Sequence, residues 1–366
     1  MKAARIRTAS AVIATVLGAL PGLANAQGWV TLSDKDFAAQ YADMAFSEDI
    51  EDRSRVAWML FARVNRQVEW EGRTISTWET WPSDPQTFDQ GTVFDFAETP
   101  RDEPEFGPGA GKLANPVDTD LPPNAEEVTR NALSYGYIAG NGLTTQAGVE
   151  QHLLAGKDVA FPVGSVEVQG MWQALSARTR GAYEFPFNQG RYALTGMHIM
   201  AKMRPTPADP FTSENPSWFM TAFEFNANPG LANARRLVTY RDALSSQQAA
   251  ELMKQAGLGH TPFMNYSSNG TQIRFSDAAH ADIILGESTM EAVLGLPTHA
   301  PASHWTAWSS SCHTCHATAA YNLSKGAFFE MDKWIGTGAL PPDAMDGYST
   351  LDFIWAIPMN AKPKGE

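Results

Sequence analysis

The 366-residue chain has only two cysteines, three positions apart, with a histidine directly after the second: Cys312-His313-Thr314-Cys315-His316. Thiolates are nucleophiles and soft ligands, and a neutral imidazole is a good iron ligand. The spacing says more than the residue types do. Two thiols one turn apart, on a turn entering a helix, reach the two vinyl groups of one porphyrin. The next residue then projects its imidazole beneath the iron. The motif therefore predicts one covalent haem c, with Cys312 and Cys315 as attachment points and His316 as the proximal iron ligand. Three rivals use the same residues. A disulfide between the cysteines would close a tiny loop and stabilise little. A thioredoxin-like dithiol belongs early in a βαβ unit, whereas this pair lies near the chain end. A zinc site would need two further ligands, with His304 and His313 the nearest candidates.

The sixth iron position is open on sequence grounds. Met345, Met359 and His198 are candidates, although Met is more often core filler and a lone His a satisfied polar group. Two acids invite attention. Glu224 lies between Phe223 and Phe225, and Glu167 sits in the alternating run Ser165-Val166-Glu167-Val168-Gln169. Either could face a haem pocket, and Glu224, in its aromatic surroundings, could be a pocket acid with a raised pKa that works with His198 in acid/base chemistry on a peroxide. Strand alternation favours the plainer reading, in which both face outward from a half-exposed sheet.

The elements that must position these groups form an α+β pattern. Asp34 can cap a first helix, and Ile50 to Val68 reads as a second, with Val56, Met59, Leu60 and Val64 on one face. Pro82 to Pro123 lacks periodicity and reads as an irregular excursion. Asn124 then caps a helix running to about Tyr137, with Glu126 and Glu127 in its first turn. Val163–Trp172, Tyr192–Met203, Trp218–Asn226 and Gln272–Phe275 read as strands. Ser245 to Ala256 is helical, with Ala249, Leu252, Met253 and Ala256 inward. Further helices are expected at Glu287 to Leu294 and Leu351 to Ile357. The organisation predicted is a helical and irregular N-terminal part over 27–160, a β-rich part over 161–285 and a C-terminal helical segment over 286–366 that carries the c-type haem.

Residues 1–26 read as an export signal. Lys2, Arg5 and Arg7 precede an apolar run to Leu20, and Ala24-Asn25-Ala26 gives the small-x-small cleavage pattern. No later segment approaches the length of a membrane span, so the expected location is periplasmic or secreted, with no stable membrane insertion. The chain has 27 basic and 40 acidic residues, a net charge of −13, which argues against a nucleic-acid partner and favours a basic redox partner.

Several stretches resemble those of a largely uncharacterised group of secreted single-haem c-type cytochromes. They are Phe161 to Trp172, Gly196-Met197-His198-Ile199, Trp218 to Asn228, Asn269-Gly270-Thr271-Gln272 and Ser310 to His316. A weaker likeness is to the cytochrome P460 group, which also places its attachment motif near the C-terminus of a β-rich haem protein; the long N-terminal portion departs from that pattern. The resemblance implies a secreted haem protein and supplies no substrate. Electron carriers usually bear the motif near the N-terminus of a small helical domain, so the haem here is one part of a larger protein. The leading expectation is periplasmic electron transfer. The alternative is a haem-dependent oxidoreductase, such as a peroxidase or small-molecule oxidase, with an open distal iron site. A gas or redox sensor is a third reading.

Overall fold

The computed structural model describes residues 28–89, 93–104, 124–188, 190–207, 217–228, 242–275, 285–287, 311–330, 340–341 and 343–364. The chain folds as mixed helix and sheet, in keeping with an α+β class. Helices α1 (Asp34–Gln40), α2 (Ala42–Ala45) and α3 (Ile50–Val64) come first. The cap of α1 is Ser33 rather than Asp34, because the Ser33 hydroxyl accepts from the Asp36 amide. Asp49 caps α3, and Glu51 and Asp52 complement its positive end. The helix stops at Val64 and not at Val68. Residues 67–70 instead form β1 (Gln67–Trp70), which pairs antiparallel with β2 (Arg73–Ser76). Val56, Met59, Leu60 and Val64 are all buried, as their spacing predicts.

The excursion after Pro82 is more ordered than its composition suggests. It contains α4 (Asp84–Phe88), closed by a reciprocal Ser83–Gln86 capping box. Arg101 is held between the carboxylates of Glu79 and Glu127, and its guanidinium lies 4.0 Å from the Phe185 ring centre. Residues 105–123 lie outside the described residues.

The central sheet is antiparallel. Its strands are β3 (Asn124–Arg130), β4 (Val166–Ala174), β5 (Glu184–Phe187), β6 (Gly190–Lys202), β7 (Trp218–Phe225) and β8 (Tyr266–Gln272), in spatial order β3-β4-β6-β7-β8 with β5 on β6. The helix expected from Asn124 to Tyr137 is thus divided. Its first half is edge strand β3, matched to β4 over all seven residues, and helix α5 (Ala132–Gly140) begins only after Asn131, whose side chain caps it. Helix α6 (Gln146–Leu154) follows. The last strand spans Tyr266–Gln272, earlier than the expected Gln272–Phe275.

Both faces of the sheet are covered. On one face, α3 and α7 (Ser246–Gln255) pack on Ile199, Phe219 and Phe223, with Phe61 stacked on Phe223 at 4.1 Å. Ala249, Leu252, Met253 and Ala256 are buried there, as their spacing predicts. Each fully buried Phe contributes roughly 2 kcal/mol of transfer free energy. On the other face, α5, α6, α8 (Cys312–Ala317) and α9 (Ala356–Asn360) gather around Met200, Trp218, Met220 and Ala222. This coverage overturns the half-exposed reading of residues 165–169. The alternation does separate two faces, but the polar face meets protein instead of water, and every residue of β7 is buried. A small sheet, β10-β9-β11 (Ala327–Phe328, Ala320–Asn322, Tyr348–Thr350), lies beyond α8. The helix expected at Leu351–Ile357 is displaced to α9, after a tight turn at 351–354. Of the stretch Glu287–Leu294, only Glu287 is among the described residues. No helix among them is long and apolar enough to cross a membrane.

Candidate functional site

Helix α8 is six residues long, with Ser311 as its cap, accepting from the Thr314 amide at 3.2 Å. So short a helix cannot hold itself together; its neighbours fix it. Gln272, at the end of β8, brackets the first turn: its Nε2 donates to Ser311 Oγ at 2.9 Å, and its Oε1 accepts from the His313 amide at 2.9 Å. Helical geometry then sorts the motif into two faces. His313, Thr314 and Ala317 turn inward and are buried, while Cys312, Cys315 and His316 share a half-buried face. The structure therefore brings the three attachment candidates together on one reachable surface.

His316 is oriented through its Nδ1, which lies 2.6 Å from the carbonyl oxygen of Phe353. A carbonyl can only accept, so Nδ1 carries the proton and the Nε2 lone pair is left as the ligating position. Burial lowers the His316 pKa to about 4, against the opposing effect of this hydrogen bond. The ring is thus neutral near pH 7, the form that binds metals.

The carbonyl that receives this proton comes from an unusual turn. Asp352 (φ +53°) and Phe353 (φ +65°) both adopt the left-handed conformation. For a bulky residue such as Phe this costs roughly 1–2 kcal/mol. The turn is pinned by the Asp352 carboxylate, which accepts from the Phe161 amide at 2.5 Å, from Lys202 Nζ at 2.7 and 2.9 Å, and from Trp218 Nε1 at 3.3 Å. Lys202 and Asp352 are both buried, with side-chain exposures of 3% and 1%. Two residues on, Trp355 Nε1 donates to the Cys315 carbonyl at 2.7 Å. The turn thereby grips both the backbone and the imidazole of the motif.

The sheet face beneath α8 carries rows set by strand register. Gly196 pairs with Glu224, His198 with Ala222, Met200 with Met220, and Lys202 with Trp218. His198 is half-buried. Burial, and secondarily the His316 charge, lowers it to about 3, so His198 lies within electrostatic reach of His316. Of the three sixth-ligand candidates it is the one linked to the site in this way. Met345 lies in a turn and Met359 in α9, both half-buried.

The outward reading of the two acids is overturned, because the second face is covered. Glu224 is fully buried and accepts from Asn269 Nδ2 at 2.7 Å and Asn228 Nδ2 at 3.5 Å. Glu287, also fully buried, lies against Gly196, where a Cβ would run into its carboxylate. Glu167 shares the face but is taken up by Arg130 and Ser134, and its carboxyl is raised, chiefly by burial. It reads as a structural ion pair.

His313 packs edge-on to Phe353 at 5.4 Å and Phe275 at 5.9 Å. Burial, then the His316 charge, lowers it to about 3. It is buried, unlike the half-buried Cys312 and Cys315, and His304 lies outside the described residues. Among those residues no group of three or more His, Cys, Asp or Glu side chains is arranged to hold a metal ion by itself.

Sequence reasoning missed Gln272, Lys202, Asp352, Phe353 and Trp355 as parts of this site. A lysine ending an otherwise apolar strand was the one local hint. In comparisons with protein family models, curated proteins and solved structures, no match to this chain was found.

Proposed function

We propose that the chain carries one haem c, attached by thioethers at Cys312 and Cys315 with His316 as an iron ligand, and that it transfers electrons outside the cytoplasm. The observation that carries this reading is the placement of His316: tied at Nδ1 to the Phe353 carbonyl, held neutral by burial, and sharing a half-buried face with both cysteines. A haem held there would supply a one-electron iron couple. The protein's part is to orient the imidazole, hold it neutral and shield the site. His198 is the sixth-ligand candidate that the reading favours. The leader pattern at residues 1–26 supplies the compartment in which the attachment takes place, and the acidic charge suits a basic redox partner.

Replacing both cysteines with alanine tests the attachment. Haem should remain on the wild-type polypeptide in a denaturing gel and be lost from Cys312→Ala/Cys315→Ala. Haem retained by the double variant would refute the assignment.

A second reading is favoured by one observation. The same sheet face buries Glu224 and Glu287 beside Gly196, two residues from His198, which is more polar machinery than a simple carrier needs. On that reading the protein is a haem-dependent oxidoreductase with an open distal position, and Glu224 and His198 move protons at the substrate. Optical spectra separate the two. A low-spin spectrum indifferent to cyanide and carbon monoxide supports the carrier, whereas a high-spin ferric spectrum that responds to cyanide supports the enzyme.

A further inference from the structure

We infer that Lys202 and Asp352 are positioning residues for His316, their buried ion pair fixing the left-handed turn that aims the Phe353 carbonyl at Nδ1. The inference rests on the haem reading above and extends it to how this chain tunes its ligand.

Three observations converge. The Asp352-Phe353 turn is a conformation that neither residue adopts without cause, and Phe353 least of all. The cause is visible, since three donor atoms converge on one carboxylate: the Phe161 amide, Lys202 Nζ (which reaches both oxygens) and Trp218 Nε1. Finally, the turn delivers several contacts to the motif. Phe353 O receives His316 Nδ1, its ring packs on His313, and Trp355 Nε1 reaches the Cys315 carbonyl.

Lys202 and Trp218 are register partners at the ends of β6 and β7, and Lys202 Nζ lies 5.3 Å from the Trp218 ring centre. The anchor is therefore the rigid sheet. Orientation passes from the sheet through Asp352 and a peptide carbonyl to the imidazole.

The chemical consequence follows from the direction of the hydrogen bond. A ring whose Nδ1–H is held by a strong acceptor donates more electron density through Nε2. Stronger donation favours ferric over ferrous iron and lowers the reduction potential. Slackening the turn weakens that bond and raises the potential, with both thioether attachments left in place.

The experiment uses the whole protein in four forms: wild type, Lys202→Met, Asp352→Gly and Asp352→Asn. Glycine keeps the backbone freedom that the left-handed turn needs and deletes the anchor. Asparagine keeps an acceptor oxygen and tolerates the same conformation. Haem staining of denatured wild type comes first, and its absence sinks the haem reading itself. With haem present, redox titration and the ferrous iron–imidazole stretching frequency decide the inference.

The expected result is that Lys202→Met and Asp352→Gly keep their haem but raise the midpoint potential. The ferrous-to-ferric ratio at fixed potential should rise at least tenfold, about 59 mV for a one-electron couple. The iron–imidazole stretch should fall, and Asp352→Asn should lie between these variants and wild type. Haem-loaded variants with wild-type potential and stretch would overturn it and leave Asp352 as a packing residue. If the first two variants do not accumulate, Asp352→Asn decides alone: a shift in the same direction supports the inference and an unshifted potential overturns it.

Discussion

Replacing Gln272 with leucine should loosen the motif helix by an amount that the geometry sets. The His313 amide lies in the first turn of α8, where no carbonyl of the same helix can accept it. Gln272 Oε1 supplies the acceptor at 2.9 Å, and its Nε2 makes a second bond to Ser311 Oγ at 2.9 Å. Gln272 and Ser311 are both fully or almost fully buried, at 0% and 1% exposure, so water does not replace either bond. Leucine has a similar volume, which keeps the cavity contribution small. Orphaning a buried amide costs about 1–3 kcal/mol, and the lost second bond adds about 1 kcal/mol. The sum, about 2–4 kcal/mol, lowers the folded-to-unfolded ratio roughly 30- to 700-fold. Urea unfolding followed by tryptophan fluorescence measures it. A double-mutant cycle with Ser311→Ala should return a coupling well above zero, because the two side chains share a bond. A loss under about 0.5 kcal/mol, typical of an unremarkable surface site, or a cycle with no coupling, would refute the claim that Gln272 holds the motif.

Two further predictions concern the buried acids. Burial, with Glu79 adding and Arg101 opposing, raises Glu127 to about 7. Its protonated form is favoured by folding, so its stabilising contribution is full below the unfolded pKa near 4.5 and is lost as pH rises to about 7. That swing is about 3 kcal/mol at most. Unfolding free energies measured from pH 4.5 to 7.5 should show a matching slope in wild type that Glu127→Gln lacks, and identical slopes would contradict it. Gly196→Ala should cost about 1–3 kcal/mol by overpacking against the Glu287 carboxylate, read as a lower thermal midpoint; an unchanged or raised midpoint would mean that the carboxylate yields freely.

What could be read from the chain was local. Helices α3 and α7 follow from apolar spacing, and β4, β6 and β7 from branched and aromatic runs. The misreadings occurred where distant partners decide. Asn124 followed by Glu126 and Glu127 has the composition of a helix start, yet β4 was free to pair there, and Glu127 found Arg101 and the Trp172 indole. Glu224 looked outward because a strand's alternation gives faces and says nothing of what covers them. The grip on His316 is less legible still. Asp352 and Phe353 carry no turn signature of the glycine or asparagine kind, and their conformation is imposed by Lys202 and Trp218 from the middle of the chain.

Those separations have a consequence for how the protein is made. The bonds that converge on Asp352 join residues 191, 150 and 134 positions apart. Phe161, Lys202 and Trp218 reach Asp352 only when distant parts of the chain have folded together, and until then the segment bearing Cys312 and Cys315 lacks the turn that grips it. On the proposed haem reading, attachment outside the cytoplasm would meet an unfolded segment, and the closing turn would form afterwards. On that reading the fifty or so residues that follow the motif act as a latch that folding closes, and a truncation ahead of Asp352 should leave a chain that can be loaded but not sealed.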